Sequence, residues 1–534
     1  MTYAERPVGR RNLLTSNDPM KRIRSLAKRE MRRSAPGSRM LVSSPVFALA
    51  LGAALLAAQQ TPPQTPASSA SKPSSADQQP AGAGAQLRTG TASGLDTDAR
   101  LQNLLADHQY SRIEAELGQL PPDHAQFYRG ILANRSKDLE RSIKLLEPLV
   151  DTVALSGNTA HEKLLRKALA EDYLRLGDFA KAARAYEMLG TRLKDKLTRD
   201  EQDEIEMPLK LLPLAAGDPP VTVEACDPFM LQVTENPLGL VDVPVFVDAR
   251  SRNWMLDPTL PFNLIARSTA KDAGLKISGE SATITTLRGR PIQVHAAVIP
   301  RFTIGGRLTI RDMTAFVYDD KDYYFPQTSY QVEGVLGYPA LAAMGSLTVT
   351  SDNTIEVRPV RQIAPPAKDD WLTNGARFYL DGDQVIVALG RKEESIADPS
   401  VQGSTRTDGQ GTGNTEGPAG ADNERMYAVD AGGQQTYLTS RYFDEHAAEF
   451  NNQKMEMYSF LGAQSAPQPA YVAENVTLFA GSTPLTLHFI HVLTQPLGSA
   501  ALDDVYGVLG TDALGQLKSY TFDYRTMRFG ATAQ

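Results

Sequence analysis

Cysteine is almost absent from this 534-residue sequence, and a single Cys226 excludes an internal disulfide and any zinc site built from cysteines. Seven histidines are scattered without an HExxH pair. The closest two, in "LHFIH" (Leu487 to His491), read as polar positions on a strand, so no metal site is expected there. Basic residues are short beyond Arg39: the net charge is -7 overall, the start is strongly basic, and the remainder carries about -15. That balance argues against nucleic acid as a partner. Long apolar runs are missing too, since Pro45 to Ala58 falls short of the roughly 20 residues that span a bilayer.

What is present divides the chain. The bases of "MKRIRSLAKREMRRSAPGSR" precede the apolar run, whose small-residue end resembles a signal-peptide cleavage region. Residues 1–58 therefore read as a basic n-region followed by a signal peptide or membrane anchor, with the protein exported to a periplasmic or extracellular location. Residues 59–97 are rich in Pro, Ser, Ala and Gln and offer nothing to bury, which predicts a disordered spacer.

Between 98 and 216 apolar residues recur at helical spacing. In "ALAEDYLRLGDFAKAARAYEML" the residues Ala170, Tyr173, Gly177, Phe179, Ala182, Tyr186 and Leu189 fall where a tetratricopeptide helix pair places its small and aromatic side chains. Two to three degenerate repeats are expected, with a plain helical bundle as the alternative. Either arrangement offers a surface for a protein partner.

After Pro219 the pattern changes to alternation rich in Thr, Val and Tyr, with turn residues every eight to twelve positions. Two stretches, 220–365 and 370–534, share an internal repeat. "VDVPVFVDARSRNWMLDPTL" supplies two strands, the second ending at Asp257, and "DQVIVALG" with "RMYAVDAGG" supplies two more, ending at Asp430. Gly334-Val335-Leu336-Gly337 is answered by Gly507-Val508-Leu509-Gly510. The aspartates and the GVLG segments share one interval of about 173 residues, which marks a duplication. The low-complexity stretch 393–424 then becomes a long hairpin loop inside the second copy.

A strand ending in Asp, a tight loop, and an apolar-apolar-Gly segment about eighty residues later resemble the pepsin and retropepsin aspartic peptidases, here twice in one chain. The resemblance implies a multidomain α + β protein: an N-terminal helical-repeat region, then an all-β, pseudo-twofold, two-lobed fold. It implies Asp257 and Asp430 as a dyad. Two close carboxylates cannot both ionise, so one acts as base on water and the other as acid toward a peptide carbonyl, without a cofactor.

The family pattern after each aspartate is Thr/Ser-Gly. Ala431-Gly432 keeps the glycine and lacks the hydroxyl, whereas Pro258-Thr259 lacks the glycine and a backbone donor. The resemblance also implies flap hairpins around Gly289 and Gly462, with Tyr458 and Phe460 as cleft-lining candidates. Two outcomes stay open: a peptidase acting on polypeptide, or a silent member of the fold that binds peptides or proteins. Dimerisation of a single active lobe is disfavoured because both copies lie in one chain.

Overall fold

A computed structural model describes residues 91–533, apart from 258–259, 286–290, 327, 360–374, 383, 391–423, 431–434, 461–466 and 499. Its first part is helical: α1 (Thr91–Ala106), α2 (Tyr110–Glu116), α3 (Pro122–Arg135), α4 (Leu139–Leu146), α5 (Val150–Ser156), α6 (Thr159–Leu176), α7 (Phe179–Arg192) and α8 (Arg199–Ala215). The first helix opens at Thr91, inside the stretch expected to be spacer. No proline falls between Pro80 and Pro121, so the strongest helix breaker is missing around Thr91.

Local signals set the best-defined helix pair. Asn158 accepts the His161 N–H at the start of α6, Gly177 closes that helix with φ +77°, and Asp178 accepts the Lys181 N–H to start α7. Ala170, Tyr173, Phe179, Ala182, Tyr186 and Leu189 are all buried. Helix α8 begins with a Thr198/Glu201 capping box and runs through Pro208 and Pro213. Each proline costs a helical hydrogen bond, and burial of Leu211, Leu212 and Ala215 opposes that loss.

The rest of the chain is rich in strands. The stretch expected to be the first lobe is built mainly on β1 (Val241–Val247), β2 (Arg250–Leu256), β3 (Leu264–Ala266), β4 (Ala282–Thr285), β5 (Pro291–Ile304), β6 (Leu308–Tyr318) and β7 (Gly334–Leu336). Next comes β8 (Ser346–Thr350). The stretch expected to be the second lobe holds β9 (Ala376–Asp381), β10 (Gln384–Gly390), β11 (Glu424–Val429), β12 (Tyr437–Leu438), β13 (Glu456–Tyr458), β14 (Gln468–Ala480), β15 (Thr483–Leu493), β16 (Gly507–Leu509) and β17 (Leu517–Asp523). Among the described residues these strands belong to a nine-stranded and a thirteen-stranded sheet.

The larger sheet joins the two stretches that share the repeat, because β8 pairs antiparallel with β17 from Ser346↔Asp523 to Thr350↔Ser519. Strands β10 and β11 pair from Val385↔Val429 to Gly390↔Glu424, so they are the two arms of one hairpin, and residues 391–423 between them lie outside the described residues. Helix α8 packs on β4 and β5, which ties the helical part to the smaller sheet. No described helix is long and apolar enough to cross a membrane.

Candidate active site

Asp257 and Asp430 stand at corresponding ends of parallel strand pairs. Strand β2 pairs with β7 through Met255↔Val335 and Leu256↔Leu336, and β11 pairs with β16 through Ala428↔Val508 and Val429↔Leu509. The next N–H in each continues the ladder: Asp257 donates to the Leu336 carbonyl at 3.0 Å, and Asp430 donates to the Leu509 carbonyl at 2.9 Å. Each β7 or β16 strand then takes an antiparallel neighbour on its other side, through Val335↔Leu264 and Val508↔Tyr437. Every one of these positions recurs after the 173-residue interval.

The last glycine of each GVLG segment is fixed by a side chain that the sequence reading did not single out. Gly337 donates its N–H to Asn263 Oδ1 at 3.1 Å, and Gly510 donates to Thr436 Oγ1 at 2.8 Å. Thr436 donates in turn to Asp512 at 2.5 Å. Asn263 and Thr436 are themselves one interval apart. That spacing was a usable signal, masked because one residue is an amide and the other a hydroxyl. Glycine is required at both positions by close backbone approach: a Cβ on Gly337 would stand 2.0 Å from the Phe262 carbonyl oxygen, and one on Gly510 2.7 Å from the Gln435 carbonyl carbon.

The two aspartates differ in exposure. Asp257 has 0% of its surface accessible, whereas Asp430 is half-buried. Tyr437 lies beside Asp430; burial, and after it the charge of Asp430, pushes the Tyr437 hydroxyl far above its ordinary range, so it stays protonated. Tyr458 and Phe460 join it. The Phe460 ring stands edge-on to Tyr437 at 5.1 Å and to Tyr458 at 5.0 Å, and His491 lies 4.3 Å from Tyr458. These aromatics therefore form one group next to Asp430.

Apolar packing links the two halves of the site. Met255, Leu260 and Val335 near Asp257, and Ala428, Tyr437 and Val508 near Asp430, belong to one buried apolar cluster that also takes in Leu211 and Leu212 of α8. The loop residues Pro258, Thr259, Ala431 and Gly432, and the flap glycines Gly289 and Gly462, lie outside the described residues. Among the described residues no group of histidine, cysteine or carboxylate side chains is arranged to hold a metal.

Comparison with known proteins agrees with this geometry where it reaches. Residues 243–340 match the family model described as aspartyl protease. No curated protein matches the chain. Among solved structures the chain is similar to a retropepsin-like aspartic protease from Rickettsia conorii, at 15% identity and TM-score 0.19, covering 25% of this chain and 100% of that one. It is also similar to Basic 7S globulin from soybean, at 9% identity and TM-score 0.33, covering 58% of this chain and 95% of that one. The stretch that the family model matches contains Asp257 and the first GVLG segment, within the β-rich part that follows the helices.

Proposed function

We propose that this chain is an exported aspartic peptidase that hydrolyses polypeptide through Asp257 and Asp430, the two lobes being copies related by a pseudo-twofold axis. One observation carries the reading: both aspartates occupy the same place in the same local ladder, each N–H bonded to the carbonyl of the leucine that precedes the closing glycine. In the proposed reaction one carboxylate removes a proton from water, the water oxygen attacks the peptide carbonyl, and the protonated partner gives its proton to the carbonyl oxygen. Protonation of the leaving nitrogen then completes cleavage. No cofactor enters these steps. The helical part is proposed as a tetratricopeptide-like region offering a second contact surface, and export rests on the N-terminal signal pattern.

The complete burial of Asp257, together with the proline that follows it in the sequence, favours a second reading, a peptide-binding protein without catalysis. Incubation with a mixed peptide library from acidic to neutral pH separates the two. Cleavage that Asp430→Asn abolishes supports the peptidase, and cleavage that survives the change removes the dyad. Binding of peptides with no cleavage at any pH selects the second reading.

A further inference from the structure

The turn between β9 and β10 leaves the second lobe and enters the helical part. Asp381 Oδ1 lies 2.8 Å from Nη2 of Arg135, while Oδ2 accepts the Tyr110 hydroxyl at 3.1 Å and lies 3.4 Å from His108 Nδ1. Its neighbour Gly382 offers its carbonyl to Arg175 at 2.9 Å. Gly382 has φ +60°, a left-handed conformation that favours glycine. Arg135 also holds Glu171 at 3.1 Å, with the two side chains 5% and 4% exposed.

Charges withdrawn this far from water are costly unless their geometry is closely held, so the contact is a specific grip on the turn. Burial raises the Asp381 carboxyl, but Arg135 foremost, with His108 and Lys167, outweighs it and holds the group well below the usual carboxylate range.

The gripped turn lies at the strand end that presents Asp430. Asp381 faces Gln384 across the hairpin, and Val385 faces Val429, the residue before Asp430. The first lobe secures its matching ladder from within: Asp242, opposite Met255, accepts Asn236 and Tyr330 at 2.9 Å each. The second lobe draws this support from the helical part.

We infer that Arg135 and Asp381 are positioning residues for Asp430, the helical part fixing the end of β11 through the Asp381–Gly382 turn. The catalytic arm of this inference rests on the peptidase reading; the structural arm does not.

The test compares full-length wild type with Asp381→Asn and with the milder Tyr110→Phe, by amide hydrogen exchange and by peptide turnover. Asp381→Asn is expected to speed exchange at 427–430 at least tenfold with 254–257 unchanged, and to lower kcat at least tenfold with KM within twofold. Tyr110→Phe shifts both the same way by less, and decides the matter should Asp381→Asn fail to fold. Exchange at 427–430 that stays at the wild-type rate, or that rises equally at 254–257, overturns the inference. Should the wild type cleave nothing, the peptidase reading fails and exchange alone decides the positioning role.

Discussion

Thr348 and Thr521 share a hydrogen bond of 2.8 Å between their hydroxyls and stand directly opposite each other across the β8–β17 pairing, 173 residues apart. On either side Leu347 faces Phe522 and Val349 faces Tyr520, so each pair becomes the other when the interval is applied. The proposed pseudo-twofold axis would run between these two hydroxyls, joining the lobes where their strands pair. A Thr→Val change at either position leaves the other hydroxyl without this partner, at a cost of about 1 kcal/mol. The double change is expected to cost less than the two singles added. Urea unfolding of the four proteins in a double-mutant cycle reads that coupling, and strict additivity would mean the contact contributes nothing.

Gly337 and Gly510 are predicted to be the least replaceable residues of the site. Alanine at either would place a methyl group inside van der Waals contact with fixed backbone, 2.0 Å from the Phe262 oxygen or 2.7 Å from the Gln435 carbonyl carbon. Relief requires moving the loop that follows the aspartate, at a cost of about 3 kcal/mol. Thermal unfolding of Gly337→Ala and Gly510→Ala measures the loss, and turnover is expected to fall with it. Full stability in either variant would show that the loop yields easily.

These contrasts explain what sequence could reveal. Asp257, Asp430 and the two GVLG segments stand out in the sequence because the same residue types recur at one interval. Asn263 and Thr436 do the same work with different chemistry, so their difference of type concealed them. The β10–β11 hairpin was legible despite its long insertion because both strands kept their apolar pattern. The grip on Asp381 was not legible: Arg135 is far away in sequence, and a charged residue near a predicted turn reads as an ordinary solvated position. Proline inside α8 also resisted reading, because tertiary burial of Leu211 and Leu212 outweighs local propensity there.

Asp172 on α6 gives the stability a defined pH dependence. Its side chain is wholly inaccessible, and burial raises its carboxyl from 3.8 to about 6, against the lowering effect of the neighbouring Ser142 hydroxyl and of the hydrogen bond from Asn134. The folded chain therefore holds this proton more tightly than the unfolded chain does. Between about pH 4 and 6 the folded state binds more protons, so this group's contribution to stability is greatest below pH 4 and falls as pH rises through 6. Asp172→Asn keeps the shape and the oxygen that Asn134 Nδ2 reaches at 2.8 Å, and removes the charge. The variant is expected to gain ~2 kcal/mol at pH 7, little at pH 4, and to lose the slope between them. Urea unfolding at several pH values across that window tests the sign: a variant less stable than wild type at pH 7 would mean that the charged form of Asp172 is the one the helices are built to hold.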